Sequence, residues 1–344
     1  MFAEARRQVI LRRMARDGEV TVAELAREWG LSRMTVRRDL TELEQQGRLR
    51  RTYGGAVPVR AEDAAAPRVG LLLPHNEYYY GRVVAGAERA AEELGCRLVL
   101  AAHFYDGSLE HDRLSKLAQL SLDGLVMASS GAGPPPQLAA DAIVDRLALP
   151  IVLVEREPRR AGERTPDSVR TAHDQGARMA VEHLHQLGHD RLLTLLTPSA
   201  TSSHLRRGVA ETVAELGMDW SDHPTTEWGD PAGPVAALAD QCVSQSVRAV
   251  FIHTDIQALN FVEALAKRGV DVPADMHLIT YDDELASNCR IPLTAVAPPK
   301  EELGFEAVRM VLQRLTAKDS PVSRQLFLMP RLVVRESTRP NSPV

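Results

Sequence analysis

The chain has 344 residues, of which 44% are hydrophobic and 25% are charged. This composition is that of a globular protein long enough for one small and one larger domain. Its three cysteines are far apart and include no Cys-x-x-Cys pair, which excludes a disulfide scaffold and a cysteine zinc site and favours a reducing compartment. The first residues are charged, and no stretch approaches the ~20 apolar residues of a membrane span, so we expect a cytoplasmic protein with no membrane partner.

The charge is unevenly distributed along the chain. Residues 1–60 contain 13 Lys and Arg against 8 Asp and Glu, a net charge of +5, whereas the other residues contain 28 against 38, a net charge of −10. A basic N-terminal region on an acidic body indicates that only the N-terminal region approaches a polyanion such as DNA.

The basic region begins with two predicted helices. Residues 4–14 have a helical pattern of apolar and charged side chains. Thr21 is expected to cap a second helix over residues 22–28, with Glu24 completing a capping box. Gly30 then ends this helix in the left-handed conformation and turns the chain into a third helix. Two helices joined by a glycine turn at this spacing are typical of a helix-turn-helix motif.

The third predicted helix, capped by Ser32, has an apolar back and a polar front. Leu31, Val36 and Leu40 fall near one face, and the opposite face is rich in arginine. Such a front suits the major groove of DNA, where arginine reaches guanine or phosphate. Taken alone, the pattern is more typical of an ordinary solvated surface.

The segment that follows the third helix favours DNA binding over an ordinary solvated surface. Residues 48–57 predict a two-stranded hairpin, or wing, whose arginines can lie along phosphates. Residues 35–40 (Thr-Val-Arg-Arg-Asp-Leu) together with residues 53–57 (Tyr-Gly-Gly-Ala-Val) resemble the DeoR-type winged helix-turn-helix family. Asp39 is interpreted as a salt-bridge partner rather than a DNA contact. The resemblance implies that the following side chains bind bases or phosphates or support the grip on the DNA backbone: Ser32, Arg33, Thr35, Arg37, Arg38, Arg51 and Tyr53.

A larger domain is expected after a short linker. Residues 58–67 lie between two prolines without periodicity, which predicts a tether between a DNA-binding domain, residues 1–57, and a body, residues 68–340. In the body, strand-like apolar runs alternate with helical patterns, which predicts βαβ units and an α/β fold with a parallel sheet. The expected strands are residues 69–73, 97–102, 124–128, 151–154, 192–196, 247–253 and 276–281. Ligands of such sheets collect at the carboxyl ends of the strands.

The body also carries a family resemblance. Blocks at residues 182–189, 270–283, 292–294 and 332–338 resemble the sensor domain of LacI/GalR-type repressors, and the similarity extends over most of the body. It implies a two-lobed, periplasmic-binding-protein-like fold that closes on a small polar effector.

The resemblance implies specific effector contacts in the loops after the strands. Tyr79 and Tyr80 match an aromatic pair of the family, and an aromatic face stacks on a sugar ring, although ordinary packing in the cleft would also explain the pair. Ser129 has a hydroxyl to donate, Glu155 stands where the family often has Asp, and Asp282 matches a position that binds polar ligand groups.

Of three further candidates, two depart from the family pattern. Asp255 matches a family aspartate, but Thr254 precedes it where asparagine is usual. In the motif at residues 205–208, the arginine that is usual in the family lies one place before Arg206. All three are expected in the effector site, but the specificity of known members is not carried over to this chain.

The sequence therefore predicts a transcriptional regulator, a repressor that binds double-stranded operator DNA as a homodimer or tetramer and responds to a sugar or related metabolite. One alternative is an enzyme of sugar metabolism with a fused DNA-binding domain, which the lack of a nucleophile-base set and a nucleotide fingerprint disfavours. Another is a regulator that needs no effector. No cofactor or metal is expected: His183, His185 and His189 have partly ligand-like spacing, but they fall in blocks that the family shares.

Overall fold

The computed structural model describes residues 3–45, 48–52, 54–58, 66–130, 147, 149–158, 165–223, 232–317 and 322–339. The chain separates into two compact units, residues 1–66 and residues 67–344. Most of the predicted linker, residues 59–65, lies outside the described residues. No helix in the described ranges is long and apolar enough to cross a membrane.

The first unit contains three helices and a small antiparallel sheet. The helices are α1 (Ala3–Asp17), α2 (Val22–Trp29) and α3 (Arg33–Gln45). The strands are β1 (Val20–Thr21), β2 (Leu49–Thr52) and β3 (Gly55–Pro58), in the order β1-β3-β2. The predicted third helix and the predicted wing are therefore confirmed. Their apolar faces meet in one core, where Ile10, Leu25, Val36 and Leu40 are completely buried.

A six-stranded parallel sheet forms the first lobe of the body. Its strands are β4 (Arg68–Leu73), β5 (Arg97–Ala102), β6 (Gly124–Met127), β7 (Ile151–Val154), β8 (Asp167–Thr171) and β14 (Gln325–Leu328). They lie in the order β14-β8-β7-β6-β4-β5. The helices α4 (Tyr78–Leu94) and α5 (Gly107–Ala118) belong to the same lobe.

A second six-stranded sheet forms the other lobe. Its strands are β9 (Arg191–Leu196), β10 (Asp219–Asp222), β11 (Ala249–His253), β12 (His277–Tyr281), β13 (Thr294–Ala297) and β15 (Arg331–Val333). They lie in the order β10-β9-β11-β12-β13-β15, and only β15 is antiparallel to its neighbour. The helices of this lobe are α6 (His173–Gln186), α7 (Ser202–Leu216), α8 (Ala232–Gln245) and α9 (Asp255–Ala266). Two single-turn 3-10 helices complete it, Ala286–Asn288 and Glu336–Thr338.

The chain passes between the two lobes three times, after β8, after β13 and after β14. Helix α10 (Lys300–Thr316) follows β13 of the second sheet, but its Leu303 and Val308 are buried in the core of the first lobe. It approaches α4 closely, because a Cβ at Gly304 would lie 1.9 Å from the Val83 carbonyl oxygen. This arrangement of two α/β lobes with shared crossovers confirms the predicted fold class.

Five strands of the body were not predicted: β8, β10, β13, β14 and β15. The sequence of β8 is Asp-Ser-Val-Arg-Thr and lacks an apolar run, yet all five residues are buried. Its aspartate, Asp167, is completely inaccessible and accepts hydrogen bonds from Arg314 Nε at 2.8 Å and from the Arg324 amide at 2.6 Å. A buried carboxylate is tolerated when it is paired in this way.

Candidate DNA-binding and effector-binding sites

Local hydrogen bonds set the ends of the helix-turn-helix. Thr21 Oγ1 accepts from the Glu24 amide at 3.2 Å and lies 2.8 Å from Glu24 Oε2, so the carboxylate meets the cap hydroxyl rather than the cap amide of a standard capping box. Gly30 ends α2 with φ 62°. Ser32 Oγ then accepts from the Thr35 amide at 3.1 Å, which makes Ser32 the N-cap of α3.

The front of α3 presents a cluster of unpaired arginines. Arg33, Arg37 and Arg38 are exposed, and no hydrogen bond or ion pair joins their side chains to other residues that the structure describes. The Ser32 and Thr35 hydroxyls are 2.9 Å apart, so each already has a partner. Three positive side chains on one helix are therefore available to a polyanion.

Arg51 forms two hydrogen bonds that hold the wing against α3. Arg51 donates from its guanidinium to Thr41 Oγ1 at 3.0 Å, and its amide donates to Glu44 Oε1 at 3.0 Å. Arg51 remains exposed and keeps donors for a phosphate. Tyr53, the other predicted wing contact, lies outside the described residues.

Two residues of α3 have environments that bear on the DNA-binding prediction. Asp39 is buried and accepts from Arg6 Nε at 2.7 Å, with Arg7 Nε 3.5 Å away, which confirms that it is a salt-bridge partner. Met34 is 69% exposed between the arginines of the front, and the sequence analysis missed it. The sequence signal for Met34 is an apolar side chain at a polar position of the helical pattern. An apolar side chain on this face suits DNA, because such side chains contact the methyl group of thymine.

In the body, unusual backbone conformations mark one edge of each sheet. Of the seven non-glycine residues with positive φ in the described ranges, six follow the carboxyl ends of β4, β5, β7 and β12. They are Tyr78 (47°), Phe104 (51°), Tyr105 (59°), Glu155 (54°), Asp282 (103°) and Asp283 (58°). Such conformations are costly for side chains with a Cβ and cluster at ligand sites. The candidate effector site therefore lies at these strand ends, as expected for parallel sheets.

The strand ends of the two lobes meet at this edge. The Tyr78 hydroxyl of the first lobe is buried beside Asp282 and Thr254 of the second. Arg82 Nε lies 3.3 Å from the Glu284 carboxylate. Of these three consecutive tyrosines, Tyr79 and Tyr80 were predicted from the sequence as site residues, and Tyr78 was not.

Asp282 is the most distinctive group of the site. Its side chain is buried, and two hydrogen bonds hold its backbone: the Asp282 amide donates to the Val296 carbonyl at 3.1 Å, and the Lys300 ammonium donates to the Asp282 carbonyl. Burial, and then the neighbouring charge of Asp255, raise the pKa of the Asp282 carboxyl well above its usual range. A carboxyl group with a raised pKa can gain or lose a proton when a bound ligand changes its environment.

Glu155 has its carboxylate surrounded by donors. The Tyr79 hydroxyl donates to Oε1, the Thr171 hydroxyl lies 2.7 Å from Oε1, and His173 Nε2 lies 2.8 Å from Oε2. Burial alone would raise the pKa of Glu155, but the charge of His173 and these hydrogen bonds lower it to about 2. Because both oxygens are occupied, the geometry favours a positioning role for Glu155 and Tyr79 over the predicted direct contact.

Both carboxylate oxygens of Asp255 are likewise hydrogen-bonded within the protein. It is completely buried, with Oδ1 2.9 Å from the Thr280 hydroxyl and Oδ2 accepting from the amides of Glu284 and Leu285 at 2.7 and 2.8 Å. It therefore holds the turn that carries Asp282. Thr254, which precedes it, lies at the site beside Tyr78.

Arginines anchor the remaining predicted residues. Arg156 Nε donates to the Ser129 carbonyl at 2.7 Å, and its Nη1 lies 3.3 Å from the Tyr80 hydroxyl, which brings Ser129 and Tyr80 to the same edge. Arg206 Nε is held by Asp222 at 2.6 Å, and its Nη2 by the Leu196 carbonyl at 2.9 Å. Arg206 thus lies at the end of β9, and these two contacts use two of its five N–H donors.

One contributor to the site had no local signal in the sequence. Lys300, at the start of α10, is 4% exposed and lies 2.5 Å from the Glu284 carboxylate and 5.4 Å from the centre of the Tyr79 ring. It follows two prolines at the second crossover, and only the tertiary structure brings it to Asp282. The histidines with ligand-like spacing have separate partners: His183 lies 2.9 Å from Thr338 Oγ1, and His189 lies 2.8 Å from His277.

The chain is similar to known families at both ends. Residues 6–61 match the DeoR-like helix-turn-helix domain, and residues 181–338 match the periplasmic binding protein-like domain. The arabinose metabolism transcriptional repressor of Geobacillus stearothermophilus is 26% identical over 333 residues, which cover 93% of this chain and 91% of that protein. The HTH-type transcriptional regulator CelR of Thermobifida fusca is 30% identical over 301 residues, which cover 82% of this chain and 86% of that protein.

A solved structure extends these similarities to the whole fold. The transcriptional regulator CelR-cellobiose complex aligns with a TM-score of 0.68 and 26% identity, covering 89% of this chain and 90% of that one. The chain therefore belongs to the family of transcriptional regulators that join a helix-turn-helix domain, here of the DeoR type, to a LacI/GalR-type, periplasmic-binding-protein-like domain.

Proposed function

We propose that this regulator represses transcription by binding an operator as a homodimer, and that a sugar bound between its lobes changes its affinity for DNA. The domain organisation would be residues 1–57 for DNA binding, 58–67 as a linker and 68–340 for the effector. The observation that carries the effector site is the meeting of Tyr78 and Asp282 at the strand ends of opposite lobes.

In the DNA-binding domain, each candidate has a distinct part. Arg33, Arg37 and Arg38 reach bases or phosphates, because they are exposed and unpaired within the described residues. Arg51 and Tyr53 of the wing contact the DNA backbone, and the hydroxyls of Ser32 and Thr35 orient the first turn of α3 and donate to phosphate. A single winged helix reads few base pairs, so a dimer on a palindromic site supplies the affinity.

In the body, direct contacts and positioning residues are separate. Asp282 accepts from sugar hydroxyls, and the hydroxyls of Ser129 and Thr254 and the ring of Tyr80 complete the contacts. The remaining candidates position these groups: Tyr79, Glu155, Arg206 and Asp255. A carboxylate, several hydroxyls and an aromatic face are the groups that recognise a sugar ring.

The names of the relatives support a sugar as effector. One is a repressor of arabinose metabolism, and the aligned CelR structure is a complex with cellobiose. The coupling would be a shift of population: the sugar binds the closed lobes more tightly and so changes the spacing of the two DNA-binding domains in the dimer.

The first experiment is fluorescence anisotropy with the protein and the DNA upstream of its own coding sequence, with and without a panel of pentoses, hexoses and disaccharides. We expect tight binding at low salt and a shift of the binding curve by one sugar class. Tight DNA binding that no sugar changes would favour a regulator without an effector. Turnover of a bound sugar would instead favour the enzyme alternative.

A further inference from the structure

Two aromatic side chains lie exposed next to the candidate effector site. Phe104 and Tyr105 follow β5 and are 64% and 43% exposed. Both have positive φ, at 51° and 59°, which is costly for a bulky side chain. Consecutive strained residues that hold aromatic rings toward solvent are a feature that folding alone does not require.

The turn that carries these rings is fixed at both ends. The His103 amide donates to the Leu73 carbonyl at 3.1 Å, and the Phe104 amide donates to the Pro74 carbonyl at 2.6 Å. On the other side, Asp106 caps α5 by accepting from the amides of residues 108 and 109 at 2.7 and 3.0 Å. Phe104 is therefore presented on a rigid turn that is tied to the loop after β4.

A line of rings connects this turn with the inner site. The Tyr105 ring packs edge-on against His75 with centres 5.9 Å apart, and His75 packs edge-on against Tyr80 at 5.4 Å. The Tyr105 hydroxyl is buried near the Tyr80 hydroxyl, and Phe104 directly precedes Tyr105 in the chain. The rings of Tyr80, His75 and Tyr105 thus run from the inner site to the turn that carries Phe104.

We infer that the effector is an oligosaccharide of at least two rings, whose inner ring binds Asp282 and whose next ring lies on the aromatic surface of Phe104 and Tyr105. This inference rests on the proposed function, because it needs a sugar at the inner site. The hydroxyls of the inner ring meet carboxylate and hydroxyl groups, whereas the C–H face of the outer ring meets aromatic carbon. A monosaccharide at Asp282 leaves the outer aromatic surface unused.

The test is titration calorimetry of the full chain with matched pairs of sugars: arabinose and arabinobiose, xylose and xylobiose, and glucose with cellobiose and maltose. For one pair, the disaccharide is expected to bind at least tenfold more tightly than its monosaccharide. Phe104→Ala should remove most of this preference and leave the affinity for the monosaccharide unchanged, and Phe104→Tyr should restore it. Leu100→Ala on β5, the strand that precedes Phe104, is the matched control, because Leu100 is 43% exposed, and it should change neither affinity.

The outcomes separate the inference from the proposed function. If a monosaccharide binds and shifts the DNA-binding curve but no disaccharide binds more tightly, the inference is wrong and the proposed function stands. If Phe104→Ala weakens both members of a pair equally, Phe104 does not hold an outer ring. If none of these sugars binds, both proposals fail.

Discussion

His173 Nε2 lies 2.8 Å from Glu155 Oε2 and joins the end of β7 in the first lobe to the start of α6 in the second. The other ring nitrogen, Nδ1, lies 2.6 Å from the hydroxyl of Tyr281, the last residue of β12. All three side chains are buried. A continuous polar chain of Glu155, His173 and Tyr281 therefore connects the two lobes at the candidate effector site.

The hydrogen bonds between Glu155, His173 and Tyr281 make the stability of the folded protein depend on pH. The folded-state pKa of Glu155, about 2, lies below the ordinary value of 4.5, so the stabilisation is complete above pH 4.5 and is lost as pH falls toward 2. This lowering of the Glu155 pKa corresponds to about 3 kcal/mol of folded-state stabilisation at neutral pH. Glu155→Gln should lower the melting temperature at pH 7, and the difference from wild type should shrink between pH 5 and pH 3. The exposed Glu92→Gln is the control; a difference for Glu155→Gln that is independent of pH would contradict the assignment.

Asp39 should matter for the fold of the DNA-binding domain rather than for a DNA contact. Asp39→Asn leaves Arg6, whose side chain is 13% exposed, without its carboxylate, and loss of one partner of a buried pair costs about 3 kcal/mol. Asp17→Asn is the matched control, because Asp17 pairs with Arg16 at the surface, where such ion pairs contribute little to stability. Denaturant melts of both variants check this; equal, small losses would show that the Asp39 pair is unimportant.

Arg37 is expected to contact the operator directly. Arg37→Ala should weaken operator binding by about 1–3 kcal/mol if it reaches a base, or lower the salt dependence by about one counterion if it reaches a phosphate. Arg16→Ala removes the same charge from α1 and should change affinity much less. Anisotropy at several salt concentrations distinguishes the two roles, and unchanged affinity with Arg37→Ala would remove α3 from the DNA interface.

Asp282 should be required for the effector response and not for DNA binding. Asp282→Asn keeps the size of the side chain but replaces its carboxyl group with an amide, so the effector should lose at least tenfold in affinity while operator affinity stays the same. Because the carboxyl pKa is raised, effector binding to the wild type should also weaken as pH falls, when the group becomes protonated. Asp240→Asn at the surface is the control; a normal response of Asp282→Asn would place the site elsewhere.

The sequence by itself determined the features that depend on neighbours in the chain. The caps at Thr21 and Ser32 and the left-handed Gly30 need only residues two to four positions away, and the helical periodicity of Val36 and Leu40 is a local pattern. The alternation of strands and helices predicted the α/β body for the same reason. Family motifs added the two-lobed arrangement.

Only the tertiary structure decided which polar groups remain available to an effector. Glu155 and Asp255 were predicted as contacts, but residues 16 to 30 positions further along the chain occupy their oxygens. Tyr78 was passed over, and Lys300 reaches Asp282 only through the second crossover. A local pattern shows that a side chain can form hydrogen bonds. Folding brings distant donors to that side chain, and a ligand can bind only the donors and acceptors that these contacts leave unused.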